Sequence, residues 1–335
     1  MSKVSNILKS KDWDTTLAVI SPTSYSKLDE TSKLILTNHQ TSCKYTSQLN
    51  YESVMKDITD KINLVIGIGG GTALDYAKYI AYNRNVNWIA IPSMLSTNAF
   101  ATNKVAVIDS TGKHTEMGKL PESVVFDEKY LMKSLKENLY GLVDVFSIYT
   151  ALTDWKIANH EINLEIDKNI FNRAESLLDL SLKVAKRIIE DGINISLLYS
   201  IFYVVTEAGY LTNDYGSGRP ESGSEHIFAS AIESIYPMPH ALAVTLGIYI
   251  MTFFQKMVFK KPQTLCVTID DIPFNKLGII DDINKLNLKW NLILKILKEL
   301  KPRKDKFTVV DMITKKDLNF DSLKQYLEDF RFKFV

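Results

Sequence analysis

The chain has 335 residues and little cysteine, only Cys43 and Cys266. They lie far apart, in no metal-ligating spacing, and read as unpaired thiols of a reducing compartment. An excess of charge of one sign is also missing. Forty basic side chains face 39 acidic ones, for a net charge of +1, so an extended phosphate-binding surface and a nucleic-acid partner are not expected. The start, Met1-Ser-Lys-Val-Ser5, has no apolar signal core. The longest apolar run, Ala241 to Phe254, falls short of the roughly 18–20 residues of a membrane span and reads as a buried helix. A cytoplasmic protein without membrane insertion is the expectation. Repeats, low-complexity tracts and an obvious linker are absent too. What is present is ordinary: 46% hydrophobic and 24% charged residues, enough to bury a core, over a length that suggests two domains at roughly 150 residues each.

The first part alternates strand and helix signals. Thr15 to Ile20 is rich in β-branched residues and reads as a strand, broken at Ser21-Pro-Thr-Ser24. Residues 27–37 read as helix and 43–49 as a short strand. Tyr51 to Lys61 has Val54, Ile58 and Ile62 on one stripe and predicts an amphipathic helix. Leu64 to Ile68 is a short apolar run ending in glycines, as in a buried parallel strand; a helix over 72–82 and a strand over 87–91 follow. This alternation predicts a doubly wound α/β domain with a Rossmann-like parallel sheet over residues 1–134. From 135 to 335 the windows are helical almost throughout, including 286–335, which predicts an all-helical second domain.

Gly67-Ile-Gly-Gly-Gly-Thr-Ala-Leu-Asp75 follows a strand and opens a helix. Glycines there let the backbone approach a pyrophosphate, and a helix N-terminus offers free N–H groups. Thr72 is a candidate to cap the helix and reach phosphate. The Rossmann fingerprint is incomplete, because Thr72 stands where its third glycine belongs; a tight turn without a ligand is the other reading. The string Gly69-Gly-Gly-Thr-x-x-Asp75-x-Ala-Lys78 resembles the signature of the superfamily that holds glycerol dehydrogenases, glycerol-1-phosphate dehydrogenases, iron-containing alcohol dehydrogenases and dehydroquinate synthases. The resemblance implies the dehydroquinate synthase-like fold and NAD or NADP, held at Gly69, Gly70, Gly71, Thr72 and Asp75. Ile91-Pro-Ser-Met-Leu-Ser-Thr-Asn98 resembles the loop lining the nicotinamide and substrate side, which adds Ser93, Ser96 and Thr97 for the coenzyme and Asn98 for the substrate.

Three polar residues stand in apolar helical surroundings: Asp144, His226 and His240. One Asp with two His is a plausible ligand set with positions left open for water or substrate, and burying a charged Asp favours a cation beside it. A helix cap and structural histidines are the alternative readings. The resemblance extends here. In the superfamily a divalent metal is held by an Asp in Gly-x-x-Asp-x-x-Ser, a His ending Ser-Gly-Arg-Pro-x-Ser-Gly-x-Glu-His, and a His that begins a helix. Asp144, His226 and His240 match in that order, and Leu142 to Trp155 and Leu300 to Val309 add to the likeness, which runs from about residue 15 to 312. It implies zinc first, with nickel or iron as alternatives, a small-molecule substrate and a homo-oligomer.

Asp144 and Ser147 fit the dehydrogenases, whereas the synthases resemble Gly-x-x-Glu-x-x-Lys at this point. Lys104, six residues after Asn98, lies near a phosphate-contacting lysine of the synthases and keeps a lyase or cyclase that uses NAD transiently as the alternative; a solvated loop lysine is its plainer reading. Arg219 is a second candidate for a substrate phosphate, or an ion-pair partner of Glu221 or Glu225. Asn98 stands where the dehydrogenases carry Asp, Ser230 where a second His is usual, and Ala241 where Gly follows the last ligand. These departures concern the substrate pocket. They also leave open a non-catalytic nucleotide-binding protein. The expected activity is metal-dependent reduction of a small phosphorylated ketone to a secondary alcohol, glycerol-1-phosphate dehydrogenase being the nearest pattern. No acidic residue for the adenosine 2′-hydroxyl is evident at Ile20 to Ser24, which leans toward NADPH tolerance.

Overall fold

The computed structural model describes residues 2–58, 61–110, 112–259, 265–313 and 318–335. They form two compact units: residues 1–141 with 193–213, and 142–192 with 214–335. This division by contacts differs from the change of character expected at residue 134. The helix that begins at Leu135 runs across the boundary, and a later helix returns to the first unit.

The first unit is built on a parallel sheet of β1 (Thr16–Ile20), β2 (Cys43–Tyr45), β3 (Leu64–Gly69), β4 (Asn87–Pro92) and a short last strand, Ser123–Val124. In strand order β2 lies outside β1, followed by β3, β4 and the last strand. Ala18 pairs with Ile66, and Ile66 with Ile89. All five residues of β1 are buried, so these strands read as continuous apolar runs instead of alternating ones. The chain steps outward from β1 to β2 and then crosses back to β3 on the other flank of β1, so the strand order reverses at β1/β3, the switch point where open α/β sheets bind ligands beyond the strands' carboxyl ends. Helix α1 (Gly71–Arg84) links β3 to β4.

Two first-unit expectations change. Residues 51–58 contain a 3₁₀ turn (Val54–Lys56), not the expected helix; Thr59 and Asp60 lie outside the described residues. The Asn50 side chain accepts the Glu52 amide at 2.8 Å, an Asx turn that competes with helix. Of the stripe, Val54 and Ile58 are buried and Ile62 is half-buried. The second change is an antiparallel hairpin, β5 (Lys104–Asp109) with β6 (Gly112–Met117), that the reading of the sequence did not contain.

Helix α2 (Leu135–Phe146) is followed in the second unit by α3 (Ile148–Ile162) and α4 (Lys168–Asp191). Helix α5 (Ile195–Tyr215) lies in the first unit up to Asn213. The second unit continues with α6 (Ser224–Glu233), α7 (His240–Val258), α8 (Trp290–Glu299) and α9 (Phe320–Asp329). Among its described residues it has no strand, only a bridge between Arg303 and Lys306. Helices α5 and α7 are long and apolar enough by composition to cross a membrane, but 78% of the apolar window of α7 is buried inside the protein, so α7 is a core helix. Tyr249 on it packs against Phe274, Phe330 and Phe332.

Candidate active site

In the first unit the glycines allow two close approaches. A Cβ on Gly67 would lie 2.8 Å from the Cβ of Ala77, and one on Gly69 2.6 Å from that of Ala73, so both are needed for α1 to start tight against β3. On the other side, a Cβ on Gly70 would meet Met94 Sδ at 3.3 Å, and one on Gly71 would meet Thr97 Oγ1 at 2.9 Å. The glycine turn and the loop from Ser93 to Asn98 are therefore in contact, as the two motifs require if they hold one ligand. Gly70 is the N-cap of α1, and no side chain caps that helix. Thr72 is not the cap; it is the second residue inside the helix. An uncapped start of a 14-residue helix leaves N–H groups and the positive dipole end for an anion.

The loop from Ser93 to Asn98 is anchored from behind. Ser93 is buried, donates its amide to Gly69 O at 3.0 Å, and shares a 2.8 Å hydroxyl contact with Ser24. Leu95 N donates to Asn138 Oδ1 at 2.9 Å, and a Cβ on Gly141 would fall 1.9 Å from Leu95 O. The glycine of Gly-x-x-Asp-x-x-Ser thus admits the loop against α2. Ser96 and Thr97 are half-buried on this loop, and the Asn98 carbonyl accepts the Ala101 amide at 2.8 Å.

Asp75 and Lys78 of the glycine signature form a buried ion pair at 3.0 Å, and Lys78 also donates to Lys104 O. Burial lowers the Lys78 pKa, with Asp75 opposing it. The pair ties α1 to the β5 edge of the hairpin, so it stiffens the turn from behind. Lys104 is half-buried at the start of β5, with Nζ 3.0 Å from Met117 Sδ.

The second unit brings the three candidate metal ligands together. One donor atom each of Asp144, His226 and His240 lie within 4.8 Å of one another. Asp144 Oδ1 is 3.5 Å from His226 Nε2 and 3.7 Å from His240 Nε2. A tetrahedral centre with bonds of about 2.1 Å has ligand edges of roughly 3.4 Å, so the set fits a divalent cation of the zinc class. Each imidazole is aimed by a carboxylate on its other nitrogen: His226 Nδ1 is 2.8 Å from Glu225 Oε1, and His240 Nδ1 is 2.5 Å from Glu233 Oε1. Such outer partners fix ring orientation and tautomer in metal sites. The sequence reading missed both glutamates in this role. The signal for Glu225 is the Glu-His dipeptide; Glu233 is brought to His240 by the turn between α6 and α7.

Without a metal these groups hold a proton. Burial alone would lower the His226 pKa, but hydrogen bonds and charge from Asp144 and Glu225 outweigh it and raise it to about 9. Burial would raise Glu225, yet His226, the Gly223 amide and Thr150 keep it below the usual carboxylate range.

The string from Ser217 to His226 forms the turn that starts α6. Ser147 Oγ bridges Asp144 O and Glu221 O, each at 2.5 Å, joining the two motifs that carry the candidate ligands Asp144 and His226. Arg219 is 5% exposed, and its guanidinium donates to Phe307 O at 2.6 Å. Ser230 lies four residues after His226 on α6, and Ala241 directly follows His240 on α7.

A parallel-sheet unit with a bare glycine turn at its switch point, and a helical unit with an Asp-His-His triangle, define a nucleotide-linked, metal-dependent dehydrogenase scaffold. Comparison with known proteins agrees. The family described as iron-containing alcohol dehydrogenase matches residues 1–134. The glycerol-1-phosphate dehydrogenase [NAD(P)+] of Thermoplasma volcanium is 25% identical over 299 residues, 87% of this chain and 81% of the relative. That of Metallosphaera sedula is 32% identical over 231 residues, 65% and 63% of the two chains. The iron-containing alcohol dehydrogenase of Thermotoga maritima shares the fold, with a TM-score of 0.63 at 14% identity over 98% of this chain and 94% of that one. The chain thus resembles the iron-containing alcohol dehydrogenases over residues 1–134 and glycerol-1-phosphate dehydrogenases over most of its length.

Proposed function

We propose that this protein is a metal-dependent, NAD(P)-linked dehydrogenase that reduces a small phosphorylated ketone, dihydroxyacetone phosphate first, to a secondary alcohol. The observation that carries the reading is the Asp144–His226–His240 triangle, with each histidine backed by a glutamate. The names of the relatives supply the substrate class. When bound, a divalent metal, zinc before nickel or iron, supplies Lewis acidity that polarises a carbonyl, and the reduced nicotinamide supplies hydride.

The chain's own residues do the rest. Asp144, His226 and His240 hold the cation and leave positions for an oxygen ligand. Glu225 and Glu233 fix the two rings. Gly69, Gly70, Gly71 and the uncapped start of α1 receive the pyrophosphate. Ser93 holds the loop against Gly69 and Ser24, while Ser96 and Thr97 line it for the nicotinamide. Asn98 orients the substrate with a neutral amide, and Lys104 is the candidate partner for its phosphate. Asp75 acts indirectly, through Lys78. At the end of β1 stand Ser21 and Thr23, with no carboxylate to repel a 2′-phosphate, which supports acceptance of NADPH beside NADH. A cytoplasmic homo-oligomer is proposed with this reading, light scattering being its check.

The test follows NADH and NADPH absorbance with dihydroxyacetone phosphate, comparing zinc-, nickel- and iron-loaded protein with a chelated control. Stoichiometric, metal-dependent oxidation is expected. Phosphate release without net coenzyme oxidation would replace the proposal with the lyase reading.

A further inference from the structure

We propose that the segment from Lys306 to Val309, together with Asp154, is a clasp that positions the His226 ligand from some 80 residues away in sequence. The proposal rests on the metal-ligand reading above. Its parts are polar contacts aimed at backbone groups of one turn. Lys306 Nζ donates to Ser222 O at 2.5 Å. Phe307 O accepts from Arg219 at 2.6 Å. Asp154 receives the Ser224 amide on Oδ2 at 2.6 Å and the Val309 amide on Oδ1 at 2.9 Å. One buried carboxylate thus takes the first amide of α6 and the first amide of the helix Val309–Met312. Helix α6 has no side-chain cap at its own N-cap residue, Gly223, so Asp154 supplies what that residue cannot.

The clasp connects to the ligand without a break. Gln255 donates to Asp154 Oδ1 and to Thr150 O, both at 3.0 Å. Thr150 donates to Glu225 Oε2 at 2.6 Å, the Gly223 amide donates to Glu225 Oε1 at 2.6 Å, and Glu225 aims His226. Gly223 has no room for a side chain: a Cβ would lie 2.5 Å from Asp154 Oδ2 and 3.0 Å from Glu225 Oε2. Asp154 is fully buried and Lys306 is 7% exposed, so each is committed to this arrangement. Burying charged groups is costly unless they are paired and hydrogen-bonded. A fold that needed only apolar packing here would not keep both.

The test uses full-length Asp154→Asn, Lys306→Met and Lys306→Arg. Zinc affinity is measured by chelator competition, and the visible spectrum is recorded after cobalt(II) substitution. Leu327→Ala, in the core of α9, serves as a control that lowers melting temperature without touching the clasp. The expectation is a zinc affinity reduced by about tenfold or more in Asp154→Asn and Lys306→Met, with a changed cobalt spectrum and recovery in Lys306→Arg. Wild-type affinity and spectrum in Asp154→Asn and Lys306→Met would overturn the clasp, and so would an equal loss of affinity in Leu327→Ala. Undiminished zinc binding by His226→Ala would instead overturn the ligand reading, which separates the two failures.

Discussion

Proton and metal should compete for one nitrogen. In the metal-free protein His226 holds its proton up to about pH 9, between Asp144 and Glu225. A cation must displace that proton to use Nε2. The contribution of His226 is therefore a tenfold loss of apparent metal affinity per pH unit below about 9, or roughly a hundredfold (about 2.7 kcal/mol) between pH 9 and 7. The sign for the metal-free fold is opposite. The pKa is raised above its ordinary 6.5, so the protonated ring stabilises the fold fully below pH 6.5, and this stabilisation is lost as pH rises through 9. At 1.36 kcal/mol per pH unit the window spans on the order of 3 kcal/mol. The assay is zinc titration calorimetry at pH 7 in two buffers of different ionisation enthalpy, with affinities repeated from pH 6 to 9. About one proton should leave His226 per zinc bound at pH 7. Buffer-independent heats and a flat affinity profile would refute the argument. Glu225→Gln removes one of the charges that hold the proton and should narrow the window from its upper end.

Three further outcomes follow from the geometry. Glu233→Gln should lower zinc affinity by roughly 10–100-fold, read by chelator competition, with coenzyme fluorescence titrations unchanged. Lys78→Met leaves the Asp75 carboxylate facing the hairpin edge without its cation; it should cost about 3–5 kcal/mol in denaturant unfolding, and a melting temperature equal to wild type would contradict the assigned pair. Gly141→Ala places a methyl group 1.9 Å from Leu95 O, so the coenzyme loop must shift; NADH affinity should fall by an order of magnitude or more, at a stability cost of about 1–3 kcal/mol, while zinc stoichiometry is retained.

The mistaken expectations have local causes. At 51–58 the apolar spacing reported burial correctly, but the Asn50 Asx turn and the stacking of Tyr51 on Tyr76 at 4.1 Å deliver it through turns. Thr72 looked like a cap because it is the hydroxyl residue in the turn, yet the helix begins two residues after Gly69, which puts Thr72 inside it. In the hairpin over 104–117 the inward Val105 and Val107 alternate with outward Ala106 and Ile108 that are apolar too, so the sequence of β5 carries no period-two contrast. Sequence gives a charge no direction: in the fold the Arg219 guanidinium meets the carbonyl of Phe307, 88 residues away.

The residues themselves carry the alternation that makes the parallel sheet, the helical character beyond it and the glycine turn at the end of β3, while Asp144, His226 and His240 stand out as polar groups in apolar helical surroundings that the family resemblance singles out as candidate ligands. These are local properties: side-chain period, backbone freedom at glycine and ligand chemistry are set by residues and their near neighbours. Only the packing of the folded chain shows which groups back those candidate ligands. Glu233 at one end of a turn, Asp154 on α3 and Lys306 far along the chain reach the site only because helices and loops distant in sequence pack together. A hydrogen bond acts over about 3 Å, and sequence separation carries no information at that scale.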